Sequence, residues 1–94
     1  MDLGFEWDAD KAAVNLASHG VTFEEASTVF ADPLSYSVPD PRHSQGEPRF
    51  AILGQSARGR LLAVFYTERG SCTRIISARE ATRRERGTYE HGTF

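Results

Sequence analysis

The segment best equipped for chemistry is Thr73-Arg-Ile-Ile-Ser-Ala-Arg79, followed closely by Arg83, Arg84 and Arg86. Arginine does not titrate in any useful pH range, so these side chains are fixed cations. A group of them at the edge of a small sheet suits phosphate binding, because the planar guanidinium matches phosphate oxygens. The charge map sharpens the reading. Residues 1–54 hold nine acids and three bases, a net of −6; residues 55–94 hold eight arginines and four acids, a net of +4. The overall charge of −2 hides this asymmetry, and binding responds to local potential rather than to the total. A polyanion is therefore the first candidate ligand, and RNA is the foremost polyanion. Ordinary uneven surface charge is the competing reading, since no basic run is unbroken.

Other chemistries find little support. His19, His43 and His91 lie at unrelated spacings and the acids follow no ligand pattern, so no metal and no cofactor is expected. No glycine-rich phosphate loop and no Gly-x-Ser-x-Gly elbow occurs. Cys72 is the only cysteine; it reads as a small apolar filler at a strand start rather than as a nucleophile. Tyr66, Glu68 and Tyr89 are polar groups near the arginine-rich end, although Tyr66 also suits a strand, Glu68 a turn and Tyr89 packing on Phe94 or another core residue. Arg79, at a strand exit, is the best-placed cation for a substrate phosphate; its structural alternative is an ion pair with Glu80, Glu85 or an N-terminal acid. His19 precedes Gly20, where a cation complements a helix dipole.

The elements that must position these groups follow from local signals. Alternation in Phe5-Glu-Trp-Asp8 reads as a short strand. Asp8 caps a helix through Ser18 or His19, with a narrow apolar face of Ala9, Ala12, Ala13, Leu16 and Ala17, ended by Gly20. Thr22-Phe-Glu-Glu25 is a capping box that opens a second helix, whose buried face is Phe23, Ala26, Val29 and Phe30; Asp32-Pro33 stops it. Leu34–Val38 reads as an edge strand and 39–48 as a turn-rich loop. Strands at 50–54, 61–66 and 73–78, joined by turns at Ser56–Gly59 and Glu68–Ser71, form a meander. On the last strand, alternation places Arg74, Ile76 and Ala78 on one face and Ile75, Ser77 and Arg79 on the other, so the sheet must be apolar on both sides there. Ser77-Ala-Arg-Glu80 and Thr82-Arg-Arg-Glu85 are both capping boxes; the second is preferred, giving a helix over 82–90 weakened by Gly87, with a frayed tail at 91–94.

With 94 residues the chain makes one domain spanning residues 1–94, large enough for a single core. No apolar N-terminal segment or long apolar run points to export or a membrane, and the lone cysteine suits a reducing, cytoplasmic setting.

Several of these segments resemble the BrnT toxin family. They are Phe5-Glu-Trp-Asp8, Asn15-Leu16 with His19-Gly20-Val21, Phe23-Glu-Glu-Ala26, Val29-Phe30 with Asp32-Pro33, Arg49-Phe50 with Ile52-Leu-Gly54, Gly59-Arg60, and Arg74-Ile-Ile-Ser-Ala-Arg79 with Thr82-Arg-Arg-Glu-Arg86. The resemblance runs from about residue 5 to 90. It implies an α+β, RelE-like fold: a small antiparallel β-sheet with two N-terminal helices and a C-terminal helix. It also implies a metal-independent endoribonuclease toxin of a bacterial type II toxin–antitoxin pair, which inhibits translation. The partner implied is a BrnA-like ribbon-helix-helix antitoxin, with DNA engaged only through the complex.

Cleavage in such toxins proceeds by attack of the 2′-hydroxyl on the adjacent phosphate. Carried onto this chain, Arg79 and Arg83 become transition-state stabilisers, with Arg74 or Arg60 as phosphate clamps. Glu68 or Tyr66 is a base or hydrogen-bonding group, and Tyr89 stacks on a base or donates a proton. Arg84, Arg86 and His19 complete the expected RNA surface. Many members carry lysine before His-Gly where this chain has Ser18, one positive charge fewer. A catalytically inactive homologue that only binds the antitoxin and supports operator binding is the alternative.

Overall fold

The computed structural model describes residues 4–43 and 46–92. The element order is β1 (Phe5–Glu6), α1 (Ala9–His19), α2 (Phe23–Thr28), β2 (Tyr36–Pro39), β3 (Arg49–Gln55), β4 (Leu61–Arg69), β5 (Cys72–Glu80) and α3 (Arg83–His91), with short 3-10 turns at Val29–Ala31 and Pro41–His43. The five strands make one sheet ordered β1-β5-β4-β3-β2. Strands β2 to β5 pair antiparallel. Strand β1 runs parallel to β5, through Phe5–Thr73 and Glu6–Arg74, so the sheet is mostly rather than wholly antiparallel. The architecture is α+β, with two N-terminal helices and one C-terminal helix.

Local chemistry accounts for the helix ends. Asp8 Oδ1 accepts from the amides of Asp10 at 2.8 Å and Lys11 at 3.1 Å, donors that a helix start leaves without partners. Gly20 closes α1 at φ 68°, a left-handed conformation glycine adopts without a Cβ penalty. Thr22 caps α2 through Glu25 N. At α3, Thr82 and Glu85 form a complete capping box.

The sheet has an apolar cluster on each face. Val21, Phe23, Ala26 and Val29 pack on Ile52, Leu62, Val64, Tyr66, Ile75 and Ala78 to make the main core. On the opposite face a smaller cluster, Leu53, Leu61 and Ala63, is covered by Tyr36, Phe65, Ala81 and Tyr89. Gly54 is where the turn after α2 meets β3; a Cβ there would lie 2.7 Å from Ser35 Cβ and 2.9 Å from Val29 Cγ1, so only glycine permits the approach.

Two expectations need correction. The alanine face of α1 is not its buried face. Ala9, Ala13, Leu16 and Ala17 are exposed, Ala12 is half-buried, and the one buried residue is Asn15. Asn15 donates to the carbonyls of Ala78 at 2.9 Å and Val21 at 3.0 Å, and accepts from Ala78 N at 3.0 Å. Because β1 is only two residues long, the outer edge of β5 lacks a strand at Ala78, and this amide takes the missing strand's place. Alternation along β5 also breaks. Tyr66 pairs with Ile75 but Phe65 pairs with Ser77, leaving Ile76 as the extra residue of a β-bulge. Ile75 and Ala78 therefore both enter the main core, which strict period-two alternation forbids. The expected tail reaches beyond the described residues at Thr93 and Phe94.

Candidate functional site

The bulge decides where the arginines go. Arg74 pairs across the ladder with Thr67, and Arg79 pairs with Ala63, on the same side of the sheet as Phe65 and opposite the main core. Five residues of unbroken strand would have put Arg74 and Arg79 on opposite faces. Arg49 on β3 pairs with Thr67 from the other side, so Arg49, Thr67 and Arg74 form one row across three strands. The outer face thus gathers cations that sequence spacing had separated.

Two adjoining hollows occupy this face. One, of about 240 Å³, is lined by Asp40, Arg49, Phe65, Ile76 and Ser77. The other is smaller and more polar, about 80 Å³, and its walls include Lys11, Thr67 and Arg74. Arg49 and Ile76 border both, so the two hollows lie side by side and together make up the groove of this face. At its α3 end, Arg79 lies with its guanidinium carbon 5.5 Å from the Phe65 ring centroid.

The guanidinium groups rest against carboxylates. Arg79 donates to both oxygens of Glu85, at 2.8 and 3.0 Å. That hydrogen bonding holds the Glu85 carboxyl below the usual range and raises Arg79. Arg74 donates to Glu6 at 3.2 Å, and Arg69 to both oxygens of Glu47 at 2.9 Å. Pairs open to solvent are weak because water screens them, so a phosphate can displace the carboxylate at little cost.

Other candidates stand elsewhere. Arg60 is tied to buried Glu25 (3.0 Å from Nε, 2.5 Å from Nη2) and to the Gly20 carbonyl at 3.0 Å, where it fastens the β3–β4 turn to α1 and α2. It does not line the groove. Tyr66 is buried in the main core with its hydroxyl donating to Ser37 at 2.8 Å. Glu68 is exposed near the end of the β4–β5 hairpin, in register with Thr73. Tyr89 donates to Asp32 at 2.5 Å; that bond pushes its phenol up to about 12 and so keeps the proton in place. Arg83, Arg84 and Arg86 are exposed on α3, and His19 is exposed at the end of α1. Among the described residues no three of His, Cys, Asp and Glu form a metal-holding group.

The sequence had pointed to Arg74 and Arg79 but passed over Arg49, Phe65, Thr67, Ser77 and Lys11. Arg49 and Lys11 sit in the acidic half of the chain, and a charge map drawn along the sequence assigns them away from the site that the sheet brings them to.

Residues 7–85 match the family model described as "Ribonuclease toxin, BrnT, of type II toxin-antitoxin system". The chain belongs to the BrnT family. The crystal structure of the Brucella abortus ribonuclease toxin BrnT superposes with a TM-score of 0.68 at 22% identity, covering 87% of this chain and 100% of that one. At that identity the likeness speaks for the fold. No curated protein matches the sequence. The BrnT assignment makes this chain a ribonuclease toxin of a type II toxin–antitoxin system, with RNA as target and an antitoxin as partner.

Proposed function

We propose that the outer face of the sheet is the RNA-cleaving site of a metal-independent endoribonuclease. The observation that carries this is the bulge at Ile76, which turns Arg74 and Arg79 to one face beside Arg49. Bulges often re-aim side chains next to active sites. A single-stranded RNA segment lies along the groove, with Arg49 and Arg74 on flanking phosphates and Arg79 at the scissile one. The 2′-hydroxyl gives its proton to solvent water as O2′ attacks the phosphorus, and the P–O5′ bond breaks as O5′ takes a proton from solvent, leaving a cyclic phosphate and a 5′-hydroxyl. Arg79, exchanging Glu85 for substrate oxygens, stabilises the dianionic phosphorane. Arg83, Arg84 and Arg86 supply outer phosphate contacts from α3. Tyr89, whose hydroxyl donates to Asp32 and keeps its proton, anchors α3 and is not the proton donor. Arg60 is a structural residue by the same reasoning. Glu68 and His19 contribute at most to the edge of the RNA surface.

This toxin acts in the cytoplasm and arrests translation by destroying RNA. A BrnA-like ribbon-helix-helix antitoxin neutralises it with an acidic segment laid over the cationic groove, and only that complex contacts DNA. Charge complementarity of this kind speeds association. An inactive antitoxin-binding homologue is the second reading, favoured by one observation: Arg79 is doubly occupied by Glu85. Purified protein incubated with RNA in EDTA separates the two. Fragments ending in 2′,3′-cyclic phosphate support the enzyme; intact RNA, or cleavage restored only by a divalent ion, contradicts the proposal.

A further inference from the structure

Phe65 is the one residue between Leu61 and Thr67 that is not buried. The alternation of β4 sends it to the outer face, where it packs against the cluster of Leu53, Leu61 and Ala63 and lines the larger of the two hollows. An aromatic ring in that position is surrounded by polar chemistry. Arg49 and Asp40 share the hollow, Ser77 stands directly opposite across the ladder, and the Arg79 guanidinium lies over the ring. A phosphate-binding groove needs no aromatic wall. A nucleobase does, because every base has a π-face and stacking on aromatic side chains is how single-stranded RNA is held.

We propose that the hollow of Asp40, Arg49, Phe65, Ile76 and Ser77 is a nucleobase subsite, in which one unpaired base of single-stranded RNA stacks on Phe65 beside the phosphates held by Arg49 and Arg74. This rests on the RNA reading of the groove and adds to it a contact that depends on the base rather than on the backbone. The volume of about 240 Å³ is room for one base. Ser77 and Asp40 offer hydrogen-bonding groups to the edge of the stacked base. Arg79, over the same ring, is held in reach of the phosphate next to that base, so stacking sets which phosphodiester meets the guanidinium.

The test uses two uncleavable probes, a 2′-O-methyl single-stranded RNA and inorganic polyphosphate of equal charge. Wild-type protein binds the RNA at least about tenfold more tightly. Phe65→Ala lowers RNA affinity roughly 5- to 150-fold, the equivalent of losing one stacked base, and leaves polyphosphate affinity within about twofold. Phe65→Trp retains RNA binding. Arg74→Ala weakens both probes. Phe65→Ala that binds RNA as wild type does, or that loses both probes alike, overturns the base subsite while a phosphate groove survives. Arg74→Ala that binds both probes as wild type does overturns the groove reading itself. Should Phe65→Ala fail to fold, the wild-type comparison decides: equal affinity for RNA and polyphosphate overturns the subsite.

Discussion

Arg60→Ala separates a structural arginine from an RNA-binding one. Glu25 has a side chain only 3% exposed, and it accepts from Arg60 Nε and Nη2 and from Ser56 Oγ at 2.7 Å. Removing Arg60 leaves a buried carboxylate short of its main partner, a change that costs about 3–5 kcal/mol in a fully buried pair. Here Arg60 is itself 28% exposed, Ser56 stays in place and Arg58 lies 3.9 Å away, so the cost falls below that range, to about 2–3 kcal/mol. In a domain of this size, that lowers the melting temperature by about 10–20 °C. The pH dependence has a definite sign. Arg60 holds the Glu25 carboxyl below its ordinary value, so the pair's contribution is present above the ordinary carboxylate pKa and disappears as pH falls through the depressed one. Urea unfolding at pH 7 and at acid pH measures both: Arg60→Ala is destabilised at pH 7 and the gap to wild type closes in acid. RNA affinity, measured well below both melting points, stays within about twofold of wild type. A variant of native stability that has lost RNA binding refutes the reasoning and returns Arg60 to the site.

Tyr89→Phe removes the hydroxyl that donates to Asp32 and costs about 1 kcal/mol, while cleavage persists. The raised phenol stabilises the fold at pH below the ordinary tyrosine value, and that contribution fades as pH rises toward about 12; absorbance titration of wild type against Tyr89→Phe shows the missing high-pH transition. Gly87→Ala stabilises α3 by up to about 1 kcal/mol, because nothing lies within 4 Å of the added Cβ; a lower melting temperature contradicts this. RNA affinity falls steeply as salt rises if several phosphates meet the groove, and a flat plot of log affinity against log salt contradicts the electrostatic account.

Features written into a few consecutive residues were legible in the sequence. The caps at Asp8, Thr22 and Thr82, the glycine stop at Gly20 and the β3–β5 meander all depend on neighbours within a turn or a hairpin. What depended on distant partners was not legible. Asn15 reaches Ala78, sixty-three positions away, and Arg60 finds Glu25 thirty-five positions away. A helical wheel scores Asn15 as polar and the alanines beside it as apolar, although alanine at those positions serves helix propensity rather than the core. The site suffered most from the bulge. One unpaired residue, Ile76, reverses every side chain after it, and nothing in Arg-Ile-Ile-Ser-Ala-Arg announces it. Two adjacent isoleucines were the one trace, since both could not face the same core.

Cleavage of RNA by purified Arg79→Ala, set beside wild type and accompanied by thermal melting, tests the central claim most directly. The outer-face site predicts that this variant melts within a few degrees of wild type, since its ion pair with Glu85 is about one-third exposed, yet cleaves RNA at least about a hundredfold more slowly. A well-folded Arg79→Ala protein that cleaves at the wild-type rate would show that the chemistry is done elsewhere.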